Sequence, residues 1–150
     1  MFNRKSYRPY TSKFGMASVA ILLCAASAQA QSPAAPTSHA AGNALMTRDA
    51  VGMPGMEMTM NTVEYAPGAS SPPHRHDAQV FVYVLEGHVV MQVKGGPKLT
   101  LGPGQTFYES PTDIHSVSAN ASSTEPAKFL VVMLKNKNAK THPVAPEQAQ

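Results

Sequence analysis

Apolar and polar positions in the middle of the chain alternate with a period of two, and no stretch keeps a helical period for three turns. Met56, Met58, Met60 and Thr62 alternate with Glu57, Thr59, Asn61 and Val63, so this strand carries a methionine face. Pro67-Gly68 ends it. Val80–Leu85 (VFVYVL) is almost wholly β-branched, aromatic or leucine, is too short for an ordinary helix, and stops at Glu86-Gly87. Val89–Val93 and Lys98–Leu101 flank Gly95-Gly96-Pro97, the composition of a hairpin connection. Gly102-Pro103-Gly104 turns the chain into Thr106–Glu109, and Lys128–Leu134 (KFLVVML) is the last apolar run. Short strands punctuated by Gly and Pro predict an all-β fold, a sandwich or a barrel, and closing a barrel removes exposed strand edges. Phe81, Tyr83, Phe107 and Phe129 are expected in its core, whereas Tyr108, beside Glu109, is expected nearer a site.

The flanks read differently. Arg4, Lys5, Arg8 and Lys13 precede the apolar run Met16–Ala26, and Ala28-Gln29-Ala30 follows it. That is the layout of a secretory signal peptide over residues 1–30, with cleavage expected before Gln31 and a periplasmic or secreted product. The run is too short to span a bilayer as an anchor. The precursor has Lys+Arg 12 against Asp+Glu 9. Without the four leader cations the balance is close to neutral, and the remaining basic residues are scattered, which argues against nucleic-acid or membrane partners. Cys24 lies in the leader behind Leu23, so neither lipidation nor a disulfide is expected in the mature chain. Residues 31–44 (QSPAAPTSHAAGNA) and 136–150 are poor in large apolar side chains and are expected to be a flexible arm and tail. The ordered domain is then 45–135, small for one core, and a homodimer is a natural supplement.

His74-Arg75-His76 is the most informative tripeptide. Residues two apart on a strand share a face and lie roughly 6.6 Å apart along it. Two neutral imidazoles so placed can converge on one cation. A surface strand with two solvated histidines has the same pattern, so the pair alone does not decide between them.

Its setting does more. Gly68, His74, His76 and Gly87 have the spacing G-x5-H-x-H-x3-E-x6-G, and Gly104 and His115 fit G-x5-P-x-G-x2-H-x3-N. These two motifs resemble those of the cupin superfamily, most of all its small single-domain bacterial members. The resemblance implies an antiparallel, jelly-roll-like cupin β-barrel with His74, His76 and His115 as ligands of a divalent transition metal. Three imidazoles suit Zn, Cu, Fe or Ni, and Mn also stands among the candidates. The sequence departs from the motifs in places. Val80 occupies the position of the first-motif glutamate, Ser110 and Thr112 replace a proline and a glycine, and the last asparagine falls one residue late, at Asn120. Glu109 shares the interior parity of Phe107, which makes it the candidate fourth ligand or general base. Gln79, by alternation, faces away from the histidines.

The cluster Met53, Met56, Met58 and Met60 suits Cu(I), yet methionines on one strand face can simply fill a core or a dimer contact, and a core place is expected ahead of copper. His88 is expected at the surface and His39 and His142 in the mobile ends. Three functions fit: a metal-dependent enzyme on a small organic molecule (dioxygenase, decarboxylase or isomerase type), a non-catalytic small-molecule or metal-binding barrel, and periplasmic copper handling.

Overall fold

A chain that alternates must bury one face of each strand, and two sheets facing each other achieve this with few elements. The computed structural model describes residues 40–149; the expected leader, residues 1–30, and the arm up to residue 39 lie outside them. The described strands are β1 (Ala40–Asp49), β2 (Met56–Tyr65), β3 (Ser70–Ser71), β4 (His74–His76), β5 (Ala78–Glu86) and β6 (Val89–Val93). They continue with β7 (Leu99–Leu101), β8 (Thr106–Glu109), β9 (His115–Asn120), β10 (Ala127–Asn136) and β11 (Thr141–Pro143). One sheet has the order β1-β2-β10-β5-β8, and the other runs β11-β4-β9-β6-β7, with β3 also pairing β9. Every pairing is antiparallel. This is the all-β fold that the strand pattern predicts, in the jelly-roll-like barrel form that the cupin resemblance implies.

The core lies between the sheets. Val80, Val82 and Val84 of β5 point inward with Val89 and Met91 of β6 and Phe129 and Val131 of β10. Burying each such side chain contributes about 1.5–3 kcal/mol. Tyr65 meets the Phe129 ring edge-on at 5.3 Å. Gly87 turns the chain from β5 to β6 at φ +66°, and a Cβ there would run into the Pro126 carbonyl and Ala127. Only glycine meets both demands.

Four expectations are corrected. Phe81 and Tyr83 are not core: β5 alternates strictly, and they stand on the outer face, 48% and 45% exposed. An unbroken apolar run does not reveal that only one of its faces is covered. The methionine face of β2 also looks outward, with Met60, Val132, Phe81 and Tyr108 in register across four strands. Residues 40–44, read as arm, belong to β1, whose backbone pairs along the whole of β2 from Ala40↔Tyr65 to Asp49↔Glu57. Residues 141–143, read as tail, form β11 on β4. Backbone ladders need no apolar side chains, so composition could not show either strand.

Candidate metal centre

Pro72 and Pro73 have no backbone N–H, so the strand that would join β3 to β4 is broken just before His74. β4 then runs beside β9 with His74 directly opposite His115. On the other sheet, β5 and β8 pair Val80 with Glu109. Directly opposed residues share a face with Cβ atoms about 4.5–5.5 Å apart. Three histidines from one sheet thus meet one carboxylate from the other, all lining a cavity of about 370 Å³.

The donors fall into two pairs. Nδ1 of His74 is 2.8 Å from the Pro72 carbonyl oxygen. A carbonyl only accepts, so His74 carries its proton on Nδ1 and keeps a lone pair on Nε2. That Nε2 lies 3.1 Å from Nε2 of His76, whose Nδ1 is 2.9 Å from Thr141 Oγ1. Burial holds the His74 imidazole below the ordinary histidine value and pushes His76 down to about 4, against the opposing attraction of Glu109. Both are therefore neutral donors at pH 7.

Deeper in, Nδ1 of His115 lies 3.0 Å from Oε1 of Glu109, with both side chains almost fully enclosed. Phe107 lies against the His115 ring at 5.5 Å between centroids. His115 Nε2 and Glu109 Oε2 are buried with no hydrogen-bond partner. Each such atom costs about 1–3 kcal/mol if left unpaired. Two of them in the cavity that His74 and His76 also line are the atoms that a cation taking its donors from all four residues would satisfy. Among the described residues, no three His, Cys, Asp or Glu side chains already surround one point at ligand distance. The donors here contact one another instead, Nε2 of His74 to Nε2 of His76 and Nδ1 of His115 to Oε1 of Glu109.

The other singled-out residues lie elsewhere. Gln79 is exposed on the outer face of β5, and His88 is exposed. Met56, Met58 and Met60 do not line the cavity. His142 is no loose end: its Nε2 is 2.6 Å from Asp77 Oδ2, while Oδ1 of the same carboxylate pairs with Arg75. Asn120 is structural, its amide donating to the carbonyls of Tyr65, Ala66 and Glu125.

A cluster of hydroxyls went unnoticed in the sequence. Tyr65 Oη lies 2.6 Å from Ser71 Oγ and 2.8 Å from Ser118 Oγ, and all three residues line the same cavity. Three hydroxyl protons share two hydrogen bonds, so one O–H is left to donate to a ligand. Ser118, three residues after His115, has the wrong parity for a regular strand. The register slips between Gln92↔Val117 and Val93↔His115, and this irregularity turns both side chains inward. Apart from Asn61 the remaining wall is apolar, including Val63, Val82, Met91, Phe129 and Val131, and among the described residues no lysine or arginine lines it.

Residues 61–133 match the family model described as a cupin domain. No curated protein matches the chain. Among solved structures, an uncharacterized conserved protein with a double-stranded β-helix domain from Klebsiella pneumoniae is 18% identical, with a TM-score of 0.58 over 74% of this chain and 90% of its own. An oxalate oxidase in complex with the substrate analogue glycolate is 24% identical, with a TM-score of 0.55 over 70% of this chain and 55% of its own. The DMSP lyase DddQ from Ruegeria pomeroyi is 22% identical, with a TM-score of 0.58 over 72% of this chain and 53% of its own. The chain thus spans about half the length of the oxalate oxidase and lyase structures it matches. At these identities the likeness is one of fold. Family match, motif spacing and barrel agree: residues 61–133 form a domain of the cupin superfamily.

Proposed function

We propose that this is an exported cupin that holds one divalent transition metal ion on His74, His76 and His115, with Glu109 as the acid of the site, and acts on a small organic molecule in the barrel. The observation that carries the metal is the pair of buried, partnerless donors, His115 Nε2 and Glu109 Oε2, in the cavity into which both other imidazoles turn. The position of Glu109 opposite Val80 supports its standing in for the absent motif acid, because the two side chains occupy neighbouring places on one face. The matched oxalate oxidase with its glycolate supports a small organic ligand.

A divalent cation bound here supplies Lewis-acid polarisation and, for Fe, Mn or Cu, redox capacity. The chain's own residues prepare the rest. Glu109 Oε1 favours the Nδ1–H tautomer of His115, which leaves Nε2 free to ligate. Its second oxygen is free to ligate or to take a proton from a ligand, one role at a time. The Tyr65, Ser71 and Ser118 hydroxyls offer a donor to an oxygen of the bound molecule, and the apolar walls exclude water around its body. The outward row from Met60 to Tyr108 supports a homodimer, since pairing would cover it.

Metal analysis of protein purified without an affinity tag tests the centre. Stoichiometric Fe, Mn, Zn, Ni or Cu in the wild type, lost in His115→Ala, is the expected result. Metal-free wild-type protein that also refuses added Zn²⁺ would leave the barrel as a non-catalytic small-molecule binder. N-terminal sequencing tests export, with Gln31 expected as the first residue of the mature chain.

A further inference from the structure

The C-terminal strand reaches the site. β11 pairs with β4 in the register Thr141↔His76, His142↔Arg75 and Pro143↔His74. Its two ends are tied by the Asp77 amide to the Lys140 carbonyl at 3.3 Å and the Val144 amide to the Pro73 carbonyl at 3.0 Å. Asp77 and His142 add a side-chain contact at 2.6 Å. These bonds fix the Thr141 hydroxyl 2.9 Å from Nδ1 of His76.

The proton count then constrains His76. His74 has its proton on Nδ1, held by the Pro72 carbonyl, so its Nε2 can only accept. The contact between the two Nε2 atoms therefore requires a proton on Nε2 of His76. Neutral His76 then has a bare Nδ1, which accepts from the Thr141 hydroxyl. For Nε2 of His76 to ligate a cation, its proton would have to move to Nδ1, with no net proton released, and Nδ1–H would then donate to the same hydroxyl oxygen. A hydroxyl serves both states because it donates and accepts; a carbonyl or an ammonium group could serve only one.

We propose that Thr141 is a positioning residue for the metal centre, whose hydroxyl holds His76 in its metal-free tautomer and turns over to hold the ligating one. This rests on the metal reading given above, and it gives the C-terminal strand a part in the site.

The test uses the full chain with Zn²⁺ as the probe, Thr141→Val as the isosteric loss and Thr141→Ser as the rescue. Imidazole ¹⁵N shifts should show His76 protonated on Nε2 without metal and on Nδ1 with Zn²⁺. Chelator competition should show Zn²⁺ affinity about tenfold weaker in Thr141→Val, at the low end of the ~10–100-fold range for such partners, since water can reach this exposed position. Thr141→Ser should restore it. Unchanged affinity and unchanged His76 shifts in Thr141→Val would overturn the assignment. Wild-type protein with the Nε2–H tautomer that takes up no Zn²⁺ would remove the metal reading while supporting the Thr141–His76 contact.

Discussion

The two halves of the donor set are built by different means. Glu109 and His115 are 2% and 3% exposed, come from opposite sheets, and are held by each other and by the ring of Phe107. His74 and His76 sit half-buried on a three-residue strand, braced by a proline carbonyl and by a hydroxyl from the far end of the chain. The deep pair is fixed by barrel closure, so disturbing it disturbs the fold. The outer pair is fixed by local backbone and by β11, so it can change with little effect on the core.

The largest expected effect tests that contrast. His115→Ala should lower stability by about 3 kcal/mol, because it strands a buried carboxylate without its partner. His74→Ala should cost about 1 kcal/mol or less. Urea unfolding of both metal-free variants measures the difference, and equal losses would mean that the deep pair is no more part of the fold than the outer one.

Next comes the acid. Glu109→Gln should weaken metal affinity at least about tenfold, since an amide is a poorer ligand and a poorer partner for His115. Val80→Glu should add no affinity, because it sets a second carboxylate directly opposite the first. Titrations in which Glu109→Gln binds metal like the wild type while Val80→Glu binds more tightly would reduce the centre to three histidines.

The outer pair should show itself through pH. Burial depresses the His76 and His74 values, His76 to about 4, while the unfolded chain protonates near the ordinary 6.5. Between these limits the unfolded state binds more protons, so stability rises with pH. The contribution is fully present above about pH 6.5 and is lost as pH falls towards about 4. Melting temperatures of the metal-free protein from pH 4 to 8 should follow this slope, and His76→Gln should flatten it. A profile unchanged in His76→Gln would show that the imidazole is hydrated in the folded state. The Thr141→Val effect on Zn²⁺ affinity is of similar or smaller size and belongs to the same outer half.

Much of this was legible in residue order. Period-two alternation and Gly/Pro punctuation gave β6 and β8 to the residue and β2, β5, β7 and β10 within a few residues. The spacing of Gly68, His74, His76 and Gly87 placed two imidazoles on one strand face, as local geometry requires. β9 was not legible, because HSVSAN has no apolar alternation; it is buried by the polar side chains His115, Ser118 and Asn120.

What the chain by itself determined is what a strand repeats every two residues: which segments extend, where they turn, and which side chains share a face. Tertiary structure alone decided which face of β5 looked outward, which residue stood opposite Val80, and that a slip in the β6–β9 register would bring Ser118 inside with His115. It also decided that Thr141, 65 residues after His76, would end beside it. Alternation is a property of neighbours in sequence, whereas cross-strand register is set by how two sheets close on each other, and a single strand carries no record of that.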